Sequence, residues 1–489
     1  MSTTSETPET SYTPDPRRWK ALAVCFTGGF VTMLDVSIVN VALPSMQAAL
    51  HAGATQLQLV VAGYTLAFGL VLVPFGRLGD ARGRRIMFMI AMAGFAVMSL
   101  TAGLAQTDTG LAIARLLQGA FAGMSYPQVS GMIQQMFRGR ERAQAFGYLG
   151  AVIGVSTALG PLIGGLILAL AGPANGWRWV FLINVPFCLG VLPLARRLLP
   201  RPPAATVSTR LDLVGLALIG LGTATFMAPF VTTPDTGFFD APGRWLWLVP
   251  AAVLLPVTFV WERRYERRYG AAVLNPGLLR TRSYLYGAAL GSAYFAGFTA
   301  LMLIVSMMLQ SGLRQTALVT GLVMLPYAVA SGFFAAQAGR LVPRIGRTLV
   351  VAGLATTLAG LVAVILVTRF VPTGHMVWVL AAALFVMGAG NGAVISPNQA
   401  LTFQDVPPQY GSVAGAVLQV GQRSGSAVGV AIVLALYLST VATRSGSLGI
   451  VDAARVGAST SLIVSAAFIA VALLIAIADR RRRHPAPAP

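Results

Sequence analysis

The chain has 489 residues, of which 56% are hydrophobic and only 10% are charged. Soluble domains carry about a quarter charged residues, so this composition excludes an ordinary soluble protein and indicates a polytopic membrane protein. The net charge of +20 would suit a nucleic-acid partner if the basic residues formed one surface. The two cysteines both fall in apolar runs, where they are predicted to be small packing residues and not a disulfide or a metal site.

Long apolar runs recur along the chain and predict fourteen membrane-spanning helices. Each run has about 20 residues or more, which is enough for a helix to cross the hydrocarbon core of a bilayer. An even number of spans places both termini on one side of the membrane. The runs lie at 20–43, 56–76, 85–106, 109–136, 142–171, 179–199, 211–232, 244–262, 283–310, 315–338, 348–370, 376–401, 410–440 and 456–478.

The positions of the basic residues test this arrangement. If the N-terminus is cytoplasmic, 27 of the 35 Lys and Arg residues fall in cytoplasmic segments and 6 fall in outer loops. The remaining two, Arg115 and Arg423, lie inside spans. Basic residues concentrate on the cytoplasmic side of membrane proteins, so the bias predicts cytoplasmic termini. The high pI then reflects topology and contact with anionic lipids, and nucleic acid is not expected as a partner.

A single carboxylate, Asp35, lies deep in the first apolar run. It stands 15 residues after Lys20 and 8 before Leu43, which places it ~22 Å from one end of the helix and ~12 Å from the other. The other predicted spans have no Asp or Glu at comparable depth. A carboxylate in that position costs about 2.5–3.5 kcal/mol on insertion scales and usually serves a function. Asp35 is therefore predicted to take part in ion or proton coupling.

The chain contains an internal repeat. Segments 76–84 and 339–347, both predicted to be cytoplasmic loops, read G-R-L-x4-G-R and are 263 residues apart. In a second repeated pattern, Gly119, Gly123 and Pro127 correspond to the residues at 388, 392 and 397. Two similar halves around a central site are typical of rocking transporters. The predicted parts are a disordered tail 1–18, a six-helix bundle 19–199, a linker with two extra spans 200–282, a second bundle 283–478 and a basic tail 479–489.

Two motifs combine glycine with charge or proline. Segment 76–85 reads G-x-L-x-D-x-x-G-R-R, and its carboxylate, Asp80, can pair with arginines and with the N-terminal dipole of a neighbouring helix. Such a contact would latch the cytoplasmic side in one state. The fifth predicted helix carries a second pattern, G-x8-G-x3-G-P-x2-G-G, whose glycines allow close helix packing and whose proline bends the helix. Its positions are Gly147, Ser156, Gly160, Pro161, Gly164 and Gly165.

Together with L-x3-R-x2-Q-G at 111–119, the acidic string at 34–44 and W-R-W-V-F-L-I-N-V-P at 177–186, these motifs resemble the major facilitator superfamily. The closest likeness is to its fourteen-helix drug:proton antiporters of the EmrB/QacA type, over nearly all of residues 15–480. The chain departs from the family pattern at two positions, where Ala81 replaces an Arg and Ser156 replaces a Gly.

The resemblance implies an all-helical fold of two six-helix bundles with two inserted helices. It also implies that the intramembrane Arg115 is linked to proton transfer. The residues it assigns to conformational switching are Gly76, Asp80, Gly83, Arg84, Arg85, Gly160, Pro161, Gly164 and Gly165.

Helical rise predicts a partner for Asp35. Arg115 lies 6 residues into the fourth span, or ~9 Å from its outer end, which matches the depth of Asp35. We therefore predict that the two interact and couple transport to protons, although a static ion pair is the alternative. Arg423, in a polar stripe with Gln419 and Gln422, adds a second buried positive charge. Two arginines against one aspartate would suit an anionic or zwitterionic substrate better than a lipophilic dication.

Other polar side chains within the spans are candidates for the substrate cavity, because such groups usually line cavities or bind neighbouring helices. The predicted set is Asn40, Tyr64, Gln118, Gln128, Tyr294, Asn391, Asn398, Gln419 and Arg423.

The predicted function is proton-coupled efflux of amphiphilic small molecules, such as drugs or antibiotics, across the plasma membrane. The alternatives are a dedicated exporter of one endogenous anionic or zwitterionic compound, and proton-driven uptake, which the G-P-x2-G-G motif disfavours. A channel is disfavoured by the repeat. An enzyme is disfavoured because no H-E-x-x-H, Ser/His/Asp set or nucleotide loop appears. The expected partners are substrate, protons and lipids, for a monomer that uses the proton gradient and no cofactor or metal.

Overall fold

The computed structural model describes residues 15–52, 56, 59–200, 212–231, 242–269, 277–278, 281–407 and 410–483. Within these ranges the chain forms fourteen helices of 15 residues or more and no strand. They are α1 Arg18–Leu50, α2 Tyr64–Arg82, α3 Arg84–Gly103, α4 Asp108–Met136, α5 Gly139–Leu182, α6 Asn184–Leu198, α7 Leu213–Val231, α8 Leu248–Tyr269, α9 Arg282–Met307, α10 Ala317–Ile345, α11 Arg347–Phe370, α12 Thr373–Thr402, α13 Gly411–Leu448 and α14 Ile450–Arg483.

Eleven stretches of the described residues are long and apolar enough to cross a membrane. Three further apolar stretches are shorter, at 41–50 in α1, 162–172 in α5 and 214–230 in α7. The remaining helix, α4, has 29 residues and buries Arg115 and three glutamines along its length. Most of the predicted N-terminal tail, and the end of the C-terminal tail, lie outside the described residues.

The sequence predicted that the repeated basic motifs are loops, but in the structure they are the ends of helices. Residues 76–82 continue α2, and only Gly83, with φ +110°, separates them from α3. Likewise α10 runs to Ile345 and a single residue, Gly346 with φ +58°, precedes α11. Positive φ is readily adopted only by glycine, which explains why both motifs place one there. Hydropathy falls at both motifs although the backbone stays helical, so the end of an apolar run does not mark the end of its helix.

The internal repeat has a counterpart in packing. In the N-terminal half, Gly119 of α4 lies against the backbone of Tyr64 in α2, so that a Cβ at Gly119 would collide with the Tyr64 carbonyl. In the C-terminal half, Gly388 of α12 lies against Tyr327 of α10 in the same way. One turn further on, Gly123 and Gly392 make equivalent backbone contacts. The same close helix crossing, which small residues permit, therefore occurs in both halves.

Among the described residues, the two halves meet where α5 packs on α10 and α12, and where α13 packs on α2 and α4. The α5–α10 crossing is close because Gly147 and Gly339 face each other there. The inserted helices α7 and α8 pack on each other, and α7 also contacts α2 and α13. Asp212 joins the inserted pair: it accepts from the backbone N–H of Gly215 at 2.8 Å and from the Trp261 indole at 2.8 Å.

Candidate functional site

Asp35, on α1, is enclosed by polar partners from two other helices, α4 and α6. Its Oδ2 contacts Nη1 of Arg115 on α4 at 2.6 Å. Its Oδ1 accepts from Nδ2 of Asn184 on α6 at 2.8 Å and from Nε2 of Gln118 on α4 at 3.1 Å. The carboxylate is 0% exposed. Both oxygens are thus engaged within the protein, and the simplest chemistry left to the group is to gain or lose a proton.

Arg115 is held on several sides. Its Nε donates to the Val60 carbonyl at 3.2 Å and its Nη1 to Gln118 Oε1 at 2.7 Å. The guanidinium carbon lies 4.2 Å from the ring centre of Tyr64 and 5.5 Å from that of Phe181. Aromatic faces attract desolvated cations, so these rings support the guanidinium where water is excluded.

Local backbone features bring this cluster together. Val60 belongs to a π-helical turn, 59–63, immediately before α2. Such turns displace backbone groups from the α-helical pattern and are frequent at functional sites. On the other side, Gly160 of α5 lies against Ser37 of α1, two residues from Asp35, and Gly164 lies against Ile38. The glycine pattern predicted for α5 therefore lets that helix pack closely on α1 beside the carboxylate.

A second charged cluster lies at the arginine-rich end. Asp80 Oδ1 accepts from Arg84 at 2.7 and 2.9 Å, and its Oδ2 accepts from the backbone N–H of Val413 at 3.3 Å. Val413 is the third residue of α13, where backbone N–H groups have no partner within the helix. Arg84 also donates to the Gly131 carbonyl at 2.7 Å, and Arg85 donates to the Leu199 carbonyl at 3.3 Å. Asp80 thus contacts both Arg84 and the first turn of α13 in the other half, and its role as a latch stays a prediction.

The C-terminal half has a neutral cluster at its helix crossing. The Tyr294 hydroxyl donates to Asn391 Oδ1, and Asn391 Nδ2 donates to Ser331 Oγ at 2.6 Å. The rings of Tyr294 and Phe298 stack with centroids 5.8 Å apart, and Phe298 stacks on Tyr327 at 5.9 Å. The described residues of this cluster are all uncharged. Tyr294 and Asn391, predicted as cavity residues, are therefore neighbours.

The other predicted cavity residues have different surroundings. Tyr64 and Gln118 belong to the Asp35 cluster, whereas Gln128 donates to the Phe75 carbonyl at 2.8 Å inside the N-terminal half. Asn398 accepts from Arg347 at 2.8 Å, and Gln419 is 5% exposed. Their cavity roles remain predictions. The side chains of Asn40 and Pro161 fall outside what the structure describes.

Several partners were missed in the sequence. Asn184, which donates a hydrogen bond to Asp35, is 1% exposed. Ser99 accepts a hydrogen bond from Gln118 at 2.7 Å. Asn184 stands in the string at 177–186, but nothing in its spacing pointed to Asp35. Arg347 pairs with Asp479 of α14 at 2.6 Å. That aspartate was assigned to a basic tail, so its burial could be read only from the packing of α14.

Comparison with known proteins identifies the protein family of this chain. The sequence profile of the Major Facilitator Superfamily matches residues 25–430. The chain is 35% identical over 457 residues to the "Probable actinorhodin transporter" of Streptomyces coelicolor, covering 92% of this chain and 78% of that protein. It is also 35% identical over 474 residues to the "Puromycin resistance protein pur8" of Streptomyces alboniger, covering 95% and 91%.

Among solved structures, the proton:xylose symporter XylE superposes with a TM-score of 0.63 at 13% identity, covering 93% of this chain and 95% of that one. At this identity the likeness concerns the fold alone. The chain belongs to the Major Facilitator Superfamily of membrane transporters and is not an enzyme.

Proposed function

We propose that this protein exports amphiphilic drugs or antibiotics across the plasma membrane in exchange for protons, by alternating access. The observation that carries the proposal is the fully buried Asp35–Arg115 pair, whose atoms are 2.6 Å apart. The names of the relatives support the export of antibiotics, since one is named for transport of actinorhodin and the other for resistance to puromycin. The proton gradient supplies the energy, without a further cofactor.

Protonation of Asp35 is the proposed coupling step. Neutralising the carboxylate removes the ionic attraction to Arg115 and leaves a buried cation without its partner, which is costly. The helices that supply the cluster, α1, α4 and α6, then favour a different arrangement. Exchange follows if the substrate and the proton each stabilise a different conformation. Substrate need not touch Asp35, because both carboxylate oxygens are already bound.

The contact of Asp80 with α13 supports the proposed gating. It joins the two halves at the end where the arginines concentrate, which is the cytoplasmic end in the proposed topology. In that topology all fourteen helices cross the bilayer and both termini are cytoplasmic. The protein would work as a monomer surrounded by lipid.

A dedicated exporter of a single compound is the second candidate. It is supported by the relative named for actinorhodin, one defined compound. A resistance screen of a strain lacking the protein separates the two functions. Sensitivity to many unrelated compounds supports multidrug export, whereas sensitivity to one compound class supports the dedicated exporter.

Everted membrane vesicles test the direction and the coupling of transport. With an acid interior imposed, we expect accumulation of the first compound found in the screen, and its release when the pH gradient is collapsed. Vesicles without the protein serve as the control. Accumulation that is unaffected by the gradient contradicts proton coupling, and accumulation only in right-side-out vesicles contradicts efflux.

A further inference from the structure

Arg423 reaches from α13 in the C-terminal half to the N-terminal half. Its guanidinium carbon lies 4.6 Å from the ring centre of Phe68 on α2, and its Nη2 lies 3.6 Å from the sulfur of Met33 on α1. The side chain is half-buried, while Phe68 is 1% and Met33 is 6% exposed. The arginine therefore lies at the interface of the halves, between an apolar wall and accessible space.

These contacts leave most of the guanidinium's hydrogen-bonding capacity unused. An arginine carries five N–H donors. Among the described residues, Arg423 has one thioether sulfur and one aromatic face as partners, and no carboxylate. A thioether is a weak acceptor, and a ring contact contributes about 0.5–2 kcal/mol. A charged group in the membrane interior is costly and usually faces a cavity where it binds something.

No carboxylate in the described interior is comparably available to a cationic ligand. Asp35 is 0% exposed and has both oxygens occupied. Asp212 lies directly before α7 and Glu262 lies on α8, both in the inserted pair, and Asp479 is paired with Arg347. The accessible charge at the interface of the halves is therefore positive.

We infer that Arg423 binds the anionic group of an amphiphilic organic substrate, whose apolar body packs beside Phe68 and Met33. Arginine suits this task because its planar guanidinium can hold a carboxylate through two parallel hydrogen bonds. The inference rests on the proposed function, since it names the substrate class of the same transporter.

The position of Arg423 also suggests how a bound anion communicates with the proton site. The rings of Phe68 and Tyr64 are stacked one helical turn apart, with centroids separated by 6.3 Å. Arg423 lies over Phe68 and Arg115 lies over Tyr64. An anion that draws Arg423 away from Phe68 therefore disturbs a continuous stack that ends at the partner of Asp35.

Three fluorescent probes with one apolar body test the inference: pyrenebutyrate, its uncharged amide, and pyrenebutyl-trimethylammonium. Dissociation constants are measured with the purified protein in nanodiscs, after subtraction of binding to empty nanodiscs. We expect the anion to bind more tightly than the other two. Arg423→Gln should weaken binding of the anion about tenfold to hundredfold, as expected for loss of hydrogen bonds to a charged group, and should leave binding of the amide unchanged.

Two further variants complete the test. Arg423→Lys keeps the charge without the paired donors and should fall between the wild type and Arg423→Gln. Arg444→Gln, on the exposed end of the same helix, removes the same charge and should change nothing. The inference is overturned if pyrenebutyrate does not bind. It is also overturned if Arg423→Gln weakens binding of the anion and of the amide equally, or weakens the binding of neither probe. Such a result leaves proton-driven export intact, because that is measured separately in everted vesicles and with Asp35→Asn.

Discussion

The two halves of this transporter cross their helices in the same way but bury different chemistry beside the crossing. In the N-terminal half, the Tyr64 backbone supports Gly119 and the Tyr64 ring supports Arg115, the partner of Asp35. In the C-terminal half, Tyr327 supports Gly388, but its ring stacks on Phe298 in a neutral cluster. The repeat thus preserves a backbone contact, whereas among the described residues an ion pair lies beside the crossing in the N-terminal half alone; the buried pair of the C-terminal half, Arg347 with Asp479, joins α11 to α14. We expect proton coupling to depend on the N-terminal half.

The largest effect is expected from removing one member of the ion pair. Arg115→Gln leaves Asp35 buried without its cation, and breaking such a pair costs about 3–5 kcal/mol. The double variant Asp35→Asn/Arg115→Gln contains no buried charge at this place and should recover much of that loss. Thermal unfolding of the purified proteins in detergent measures both. If the single and double variants unfold at the same temperature, the two side chains are not energetically coupled.

A smaller effect, equal in both halves, is expected at the repeated glycines. Gly119→Ala and Gly388→Ala each place a methyl group against a tyrosine carbonyl, and overpacking of this kind typically costs about 1–3 kcal/mol. Gly190→Ala is the matched control, because no heavy atom lies within 4 Å of its added Cβ. Yield of folded protein and unfolding temperature are the measurements. A loss confined to one half would mean that the two crossings are not equivalent.

The smallest effect is expected at the arginine-rich end, where the halves also differ. Asp80 bridges to α13, whereas the repeat places Pro343 at the corresponding position and Arg347 pairs instead with Asp479 inside its own half. A carboxylate at a helix N-terminus contributes about 0.3–1 kcal/mol, up to about 2. Asp80→Asn should therefore shift the population toward a state that is open at this end, while Asp479→Asn should lower stability without that shift.

Spin labels on cysteines replacing Arg140 and Arg344, which are exposed at the facing ends of α5 and α10, report this opening as a longer distance. An unchanged distance distribution in Asp80→Asn, or the same change in Asp479→Asn, would argue against a latch at Asp80.

The sequence predicted how deep a residue lies along its helix better than it predicted which neighbours its side chain contacts. The contact of Asp35 with Arg115 followed from a constant rise per residue, which holds in any regular helix. Asn184 and Ser99 were missed because the direction in which a side chain points depends on how the helices rotate and pack. The motifs at 76–85 and 339–347 were read as loops because hydropathy falls there, although their backbone stays helical. Roles in coupling and gating remain predictions, since packing alone does not reveal them.

The most direct test of the account compares Asp35→Asn with Asn391→Ala, one change in each half. Both proteins are reconstituted in liposomes with a pH-sensitive dye inside, and proton movement is recorded when substrate is added. We predict that Asp35→Asn still binds substrate but moves no protons in response, while Asn391→Ala retains substrate-driven proton movement. Substrate-driven proton movement in Asp35→Asn equal to that of the wild type would contradict the central claim that this carboxylate couples export to the proton gradient.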